Sequence, residues 1–264
     1  MKLLNRMFIV IAALTISPLV WAGQNCDARP ATPLEVANSL RLAKQSYDAL
    51  DQSGASVAII ARAGQDLTRY GLTYSHVGIV WRDHPEGRWT VVHMLNQCGT
   101  AHSDLYNQGL GNFFMDTMFK YQTLIMIPSP ALQARIVDSL TSGTAREMFT
   151  PNYNMLAYPF SSEFENSNQW VLEVLAASMA QDASIHSRDT AQSWLRSTGY
   201  RPTTLHISAV ERLGADLTRA NISFDDQPFA RRMAGEIDTV TVDSIEQYLK
   251  ASDPGLREIV GVCS

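Results

Sequence analysis

Cysteine is scarce: the 264 residues hold three, Cys26, Cys98 and Cys263, with no Cys-x-x-Cys pair among them. That spacing excludes a zinc knuckle or a dithiol redox motif. Also missing are the phosphate-binding loop, a Gly-x-Gly-x-x-Gly turn after a strand, His-Glu-x-x-His and the Gly-x-Ser-x-Gly elbow. The nucleotide, zinc-protease and familiar serine-hydrolase readings go with them. Charged residues are only 18% of the chain and form no block of one sign. The formal charge is −5, or −7 once Lys2 and Arg6 are set aside with residues 1–22, so phosphate-neutralising nucleic-acid binding is excluded. With 45% hydrophobic residues, 15 Gly and 11 Pro, the composition is that of a folded globular chain.

What is present begins with a leader. Lys2 and Arg6 precede an apolar run, Met7 to Ile16, and Val20 and Ala22 stand at the −3 and −1 positions of a cleavage site. The run is about half the roughly 20 residues a membrane span needs. Residues 1–22 are therefore expected to be a cleaved signal peptide, and the mature chain 23–264 a periplasmic protein with no stable membrane insertion. Gly23-Gln24-Asn25 before Cys26 is no lipobox. In an oxidising compartment a Cys26–Cys263 bridge is one pairing, either residue with Cys98 is another, and three reduced thiols are the third reading.

The pattern along 23–264 predicts one α+β domain, an antiparallel sheet packed by helices. Thr32-Pro33-Leu34-Glu35 opens a helix with a capping box that runs to Gly54. Ser56–Arg62, Tyr74–Arg82, Arg88–Asn96 and Tyr121–Ile127 read as strands, the middle two joined by a turn at Asp83–Gly87. Ser129-Pro130 starts a second helix, and a strong helix begins near Asn168 after a turn-rich passage, Pro151–Ser167. Further helices are expected after Asp189, after Ser208 and after Asp243, with short strands at Asn221–Phe224 and Thr239–Val242. Asp225-Asp226 lacks the third carboxylate of a cation site and reads as a solvated turn. No metal and no cofactor are implied.

His76, in Ser75-His76-Val77-Gly78-Ile79-Val80, is the most informative histidine. Strand alternation puts His76, Gly78 and Val80 on one face, and Gly78 leaves space there. The plain alternative is a core histidine bonded to a carbonyl. His93, on the next strand, reaches the same face at the right register and turns away after a slip of one. Two such residues can serve as base and orienter. Ser167, in Asn166-Ser167-Asn168-Gln169-Trp170, enters a helix where unpaired N–H groups can receive an oxyanion, although an ordinary N-cap looks the same. Trp170 and Trp81 could line a groove or fill the core. Cys98, in a loop after a strand, lacks a helix dipole to activate it and is a weaker nucleophile candidate.

These residues resemble the circularly permuted NlpC-type papain-like group, which includes the lecithin-retinol acyltransferase relatives and cell-wall amidase-like proteins. The resemblance covers roughly residues 55–180 and implies a papain-like core with a C-terminal helical extension. It implies His76 as general base, His93 as polar orienter and Asn166-Ser167 in place of an Asn-Cys pair, with Asn166, Asn168 and Gln169 around the oxyanion and cleft. Serine at 167 departs from the pattern, because a thiolate–imidazolium pair cannot form there. More broadly the mature chain is similar to a family of secreted bacterial proteins known as domain of unknown function 2145. That likeness rests on Ser-His-Val-Gly-Ile, the segment from Ser103-Asp104-Leu105-Tyr106 to Phe114, and Asn166 to Trp170.

Three readings follow. The first is a periplasmic hydrolase or acyl transferase acting on an amide or ester of a small molecule, peptide or lipid through Ser167 and His76. The second is a binding protein that keeps the cleft without turnover. The third is a structural envelope protein whose polar strand residues satisfy one another.

Overall fold

Strands that are apolar on both faces need helices on both sides, and the chain supplies them. The computed structural model describes residues 29–116, 118–180 and 185–262. The leader expected at 1–22, and Cys26 and Cys263, lie outside the described residues. In chain order the elements are α1 (Pro33–Ser53), β1 (Val57–Ala63), β2 (His76–Trp81), β3 (Thr90–Asn96), β4 (Ser103–Gly109), α2 (Leu110–Met115), β5 (Lys120–Ile127), α3 (Pro130–Ser142) and α4 (Thr144–Glu147). Then come α5 (Ser167–Met179), α6 (Arg188–Ser197), β6 (Thr203–His206), α7 (Ala209–Thr218), α8 (Phe229–Ala234), β7 (Glu236–Thr239), α9 (Val242–Ser252) and β8 (Arg257–Val262).

Six strands form one sheet in the order β4-β3-β2-β1-β5-β8, every neighbouring pair antiparallel. The expected α+β class, an antiparallel sheet packed by helices, is what the chain adopts. Ile59, Val77, Ile79, Met94 and Met126 pack on one face against Ile136 of α3 and Val171 and Leu175 of α5. Ala58, Ile60, Val80, Val91 and Ile125 pack on the other against Leu42 and Leu50 of α1 and Phe113 and Phe114 of α2. β6 and β7 make a separate two-stranded antiparallel sheet with its own cluster of Leu205, Ile207, Phe224 and Ile237.

The C-terminal part carries the helices α6 to α9 and, beyond the helical extension expected, three strands. β8 adds an edge strand to the main sheet beside β5, and β6–β7 a second small sheet. Asn221–Phe224, however, is not a strand. The Asn154 side chain accepts from the Ser223 N–H and donates to the Ser223 carbonyl, a clip that takes the place of a ladder. The last helix begins earlier than expected, because Thr241 rather than Asp243 is its N-cap. Likewise Ser187, with Thr190, caps α6 instead of Asp189. The boxes at Thr32–Glu35 and Ser208–Glu211 are as expected.

The β2–β3 turn sets the site. Strand β3 starts at Thr90 rather than Arg88 because Trp89 adopts a left-handed backbone, φ 58°. Its fully buried indole donates to the Asp51 carboxylate at the end of α1, 2.5 Å away, and Arg88 donates to the same oxygen. Val80 then lies opposite Val91 and Ile79 opposite Val92, so continuation of the ladder sets Gly78 against His93. A Cβ on Gly78 would stand 2.6 Å from Val91 Cγ1 and 3.0 Å from His93 Cβ, closer than packed atoms come. Gly78→Ala is accordingly expected to destabilise the fold by about 1–3 kcal/mol in urea denaturation. Gly214→Ala, whose added methyl meets nothing within 4 Å in mid-helix, is expected to stabilise it by roughly 0.5–1 kcal/mol.

Candidate active site

Helix α5 is apolar nearly all round and runs through the protein interior, with Trp170, Val171, Leu172, Val174, Leu175 and Ala176 buried. Trp170 is thus a core residue, its indole donating to the Ala145 carbonyl at 2.9 Å. The N-cap of α5 is Asn166, whose side-chain oxygen accepts from the Gln169 N–H at 2.8 Å. Ser167 is the first helical residue, so its hydroxyl is not used for capping. It is half-buried, and it meets the start of β2.

His76 Nδ1 lies 3.1 Å from Ser167 Oγ, and His76 Nε2 lies 2.8 Å from His93 Nδ1. The neighbouring strands β2 and β3 and the sequence-distant helix α5 thus bring their polar groups into one hydrogen-bonded line. Two polarities satisfy it, and the one that lets His76 accept from Ser167 has the Ser167 O–H donating to His76 Nδ1, the His76 Nε2–H donating to His93 Nδ1, and the His93 proton on Nε2. That last nitrogen is buried without a hydrogen bond of good geometry, although the Gln108 side chain of β4 lies near enough to favour protonation. The Phe113 ring leans on both imidazoles, 5.9 Å from His76 and 5.4 Å from His93 by ring centres.

Both imidazoles are held neutral. Burial pushes His93 down to about 3, with the Arg62 guanidinium as the second cause. His76 is held well below the usual histidine range by burial first, then by Arg62 and His93. A neutral imidazole can accept the Ser167 proton. The imidazolium so formed would stand in a dry, cationic setting, which makes His76 a weaker base than an exposed one.

Tyr153 was not legible in the sequence. It sits in the turn-rich passage before α5, brought in by an isolated bridge to Glu165, and its hydroxyl interacts with Ser167. Burial pushes that phenol up to about 12, so it stays a donor. No periodicity or motif marks it. A phenol O–H on Oγ stabilises an alkoxide, and the Ser167 and Asn168 N–H groups lie in the first turn of α5, where no intrahelical carbonyl accepts them.

The side chains of the residues expected around the oxyanion and cleft, Asn166, Asn168 and Gln169, are engaged in structural bonds. The Gln169 N–H is taken by the Asn166 cap, and its buried side chain donates to Glu173 and the Pro159 carbonyl. Asn166 donates to Thr239 Oγ1 at 2.9 Å and Asn168 to the carbonyls of Ser75 and Val240, tying the start of α5 to β2 and to the chain after β7. Behind them, buried Glu173 and Glu165 share one guanidinium. Arg188 Nε lies 2.8 Å from Glu173 and 3.5 Å from Glu165, and the same guanidinium donates to the Ser162 and Phe164 carbonyls. Burial, opposed by Arg188, holds both carboxyls above the ordinary range, Glu165 most. Cys98 is disulfide-bonded and has no thiol with which to attack. Asp226 accepts from the Tyr158 N–H and Asp225 pairs with Arg232. Among the described residues no group of three His, Cys, Asp or Glu could hold a metal, and no helix is long and apolar enough to cross a membrane.

The family model described as an uncharacterized protein conserved in bacteria (DUF2145) matches residues 49–249, and the chain belongs to that family. The matched span takes in Arg62, His76, His93, Tyr153 and Ser167. No curated protein and no solved structure matches the chain.

The depressed histidines give a pH signature. The unfolded chain takes up protons near the ordinary histidine value while folded His93 does so only near 3. Its contribution to stability is therefore fully present above about pH 6.5 and is lost as pH falls toward 3. The loss at completion is roughly 5 kcal/mol. Acid titration of urea stability should show His93→Gln losing stability less steeply than the parent across that window; parallel curves would show that His93 is not held neutral.

Proposed function

We propose that this member of the DUF2145 family is an envelope hydrolase or acyl transferase that attacks an amide or ester carbonyl through Ser167. The observation that carries the reading is the continuous line from Ser167 Oγ to His76 Nδ1 at 3.1 Å and from His76 Nε2 to His93 Nδ1 at 2.8 Å, drawn from three separate elements. A helix cap or a stray core histidine requires no such line.

In the proposed reaction the Ser167 oxygen attacks the carbonyl carbon as its proton passes to His76 Nδ1. The new imidazolium is stabilised through its Nε2–H by His93 Nδ1, which also fixes the tautomer. The N–H groups of Ser167 and Asn168 receive the oxyanion in this reading, and Tyr153 stabilises Oγ as its proton leaves. His76 then returns the proton to the leaving nitrogen or oxygen. Water or a second acceptor releases the acyl group from Ser167 in the reverse sequence. The order of histidine before nucleophile, with the nucleophile opening a helix after an asparagine, favours a permuted papain-like core in which serine replaces cysteine. The leader expected at residues 1–22 favours the periplasm, where cell-wall peptides and lipid acyl groups are natural substrates.

A second reading, a binding protein without turnover, is favoured by the same electrostatics, since burial and Arg62 oppose a charged His76. The two separate cleanly. A fluorophosphonate should label Ser167, read by peptide mass spectrometry, and Ser167→Ala and His76→Gln should each lower hydrolysis of 4-nitrophenyl esters or acyl amides by at least 100-fold. Their melting temperatures should stay near that of the parent. Ser167→Cys should keep turnover and alkylate with iodoacetamide below the pH of an ordinary thiol. Unlabelled Ser167, with saturable binding of cell-wall fragments and equal rates in all variants, would establish the second reading.

A further inference from the structure

Arg62 is the charged residue in a strand otherwise made of Val, Ala and Ile, and all seven positions of β1 are buried. A guanidinium in that position has to be held by named partners. Nη1 donates to the Phe113 carbonyl, Nη2 donates to Asp116 Oδ2 at 2.5 Å, and the guanidinium carbon lies 4.9 Å from the centre of the Phe113 ring. These bonds all grip one short element. Helix α2 has six residues and no side-chain cap at either end, too short to hold its shape unaided. Arg62 binds a carbonyl in its last turn, where a cation is favoured, and the first residue beyond it.

Arg62 also pairs directly with His76 across the β1–β2 ladder. The Phe113 it grips packs on both His76 and His93. One residue thus stands opposite His76 in the strand register and reaches both rings through Phe113 of α2. We infer that Arg62 is a positioning residue for the Ser167–His76–His93 line: it pins Phe113 onto the imidazole pair and so fixes which nitrogen of each ring faces its partner. The inference rests on the reading of that line as a proton relay, yet its structural content can be read without turnover.

The charges facing the pair are Arg62 from β1 and Asp116 from the end of α2, with the Tyr153 phenol beyond Ser167. The cation disfavours protonation of either ring, so tautomer and charge depend on the same residue.

The test compares the full chain with Arg62→Lys and Arg62→Met by long-range proton–nitrogen NMR of the imidazoles, beside ester hydrolysis. A lysine keeps the charge but cannot bond the Phe113 carbonyl and Asp116 in a planar fork. Arg62→Lys should therefore fold, stay untitrated at both rings, and show averaged tautomers in place of one. Its kcat should fall roughly 100-fold with KM within about twofold, as expected of a misplaced catalytic group. Arg62→Met should in addition raise the pH at which a ring takes up a proton, while burial still keeps it below the ordinary histidine range; if it does not fold, Arg62→Lys decides alone. A sharp, parent-like tautomer pattern in Arg62→Lys would overturn the inference. Averaged tautomers in a protein whose parent shows no Ser167-dependent turnover would sustain Arg62 as the positioning group and remove the catalytic reading instead.

Discussion

The arrangement at the site depends on the antiparallel register of β2 and β3. With Val80 opposite Val91, the bare backbone of Gly78 meets His93, and His76 lies one same-face step further along. A shift of one residue would turn the His93 ring to the opposite face, among Val92 and Met94 and the core of α5. The register is held at the turn, where the buried Trp89 indole and Arg88 both reach Asp51 at the end of α1. A helix on one face of the sheet thereby fixes the pairing of two histidines, and those in turn meet a serine on a helix that packs against the other face.

The second constraint is electrostatic. Removing imidazoles from water beside a guanidinium keeps them uncharged, which suits proton acceptance and opposes the imidazolium that acceptance creates. Cysteine at 167 would have eased that conflict, because a thiol ionises readily next to a cation at a helix N-terminus. Serine leaves the work to hydrogen bonds. His93 behind His76 and Tyr153 on Oγ are the two groups that could compensate, the first by accepting from the imidazolium and the second by donating to the alkoxide.

Much of this was legible in the sequence, and the reasons for the rest are specific. Strand alternation around Gly78 set His76 and His93 on a common face, and Ser167 was read at a helix start, although the cap is the asparagine before it. Those are local patterns with a period or a cap, and the four central strands followed from the same logic. Tyr153 and Arg62 had no such signal. Tyr153 lies in an aperiodic passage held by an isolated bridge to Glu165, and Arg62 closes an apolar run where a charge usually marks the exit to solvent. Strand β4 was missed because it is an edge with several exposed polar positions, and β8 because its alternating exposure gives no buried run. Gln169 was misassigned because sequence shows that a first turn has free N–H groups without showing which of them the cap consumes.

The ties at the start of α5 also bear on the order in which the protein can be assembled. Asn166 bonds to Thr239 and Asn168 to Val240, some 73 and 72 positions downstream. Both histidines lie in the first half of the chain, and their strands can pair as soon as that half emerges. The two ties at the start of α5 cannot form until the segment after β7 has been made. Contacts of such separation form late, since the intervening loop must close first. A chain emerging from its N-terminus would therefore carry Ser167, His76 and His93 well before it carried the ties that hold the start of α5 in place.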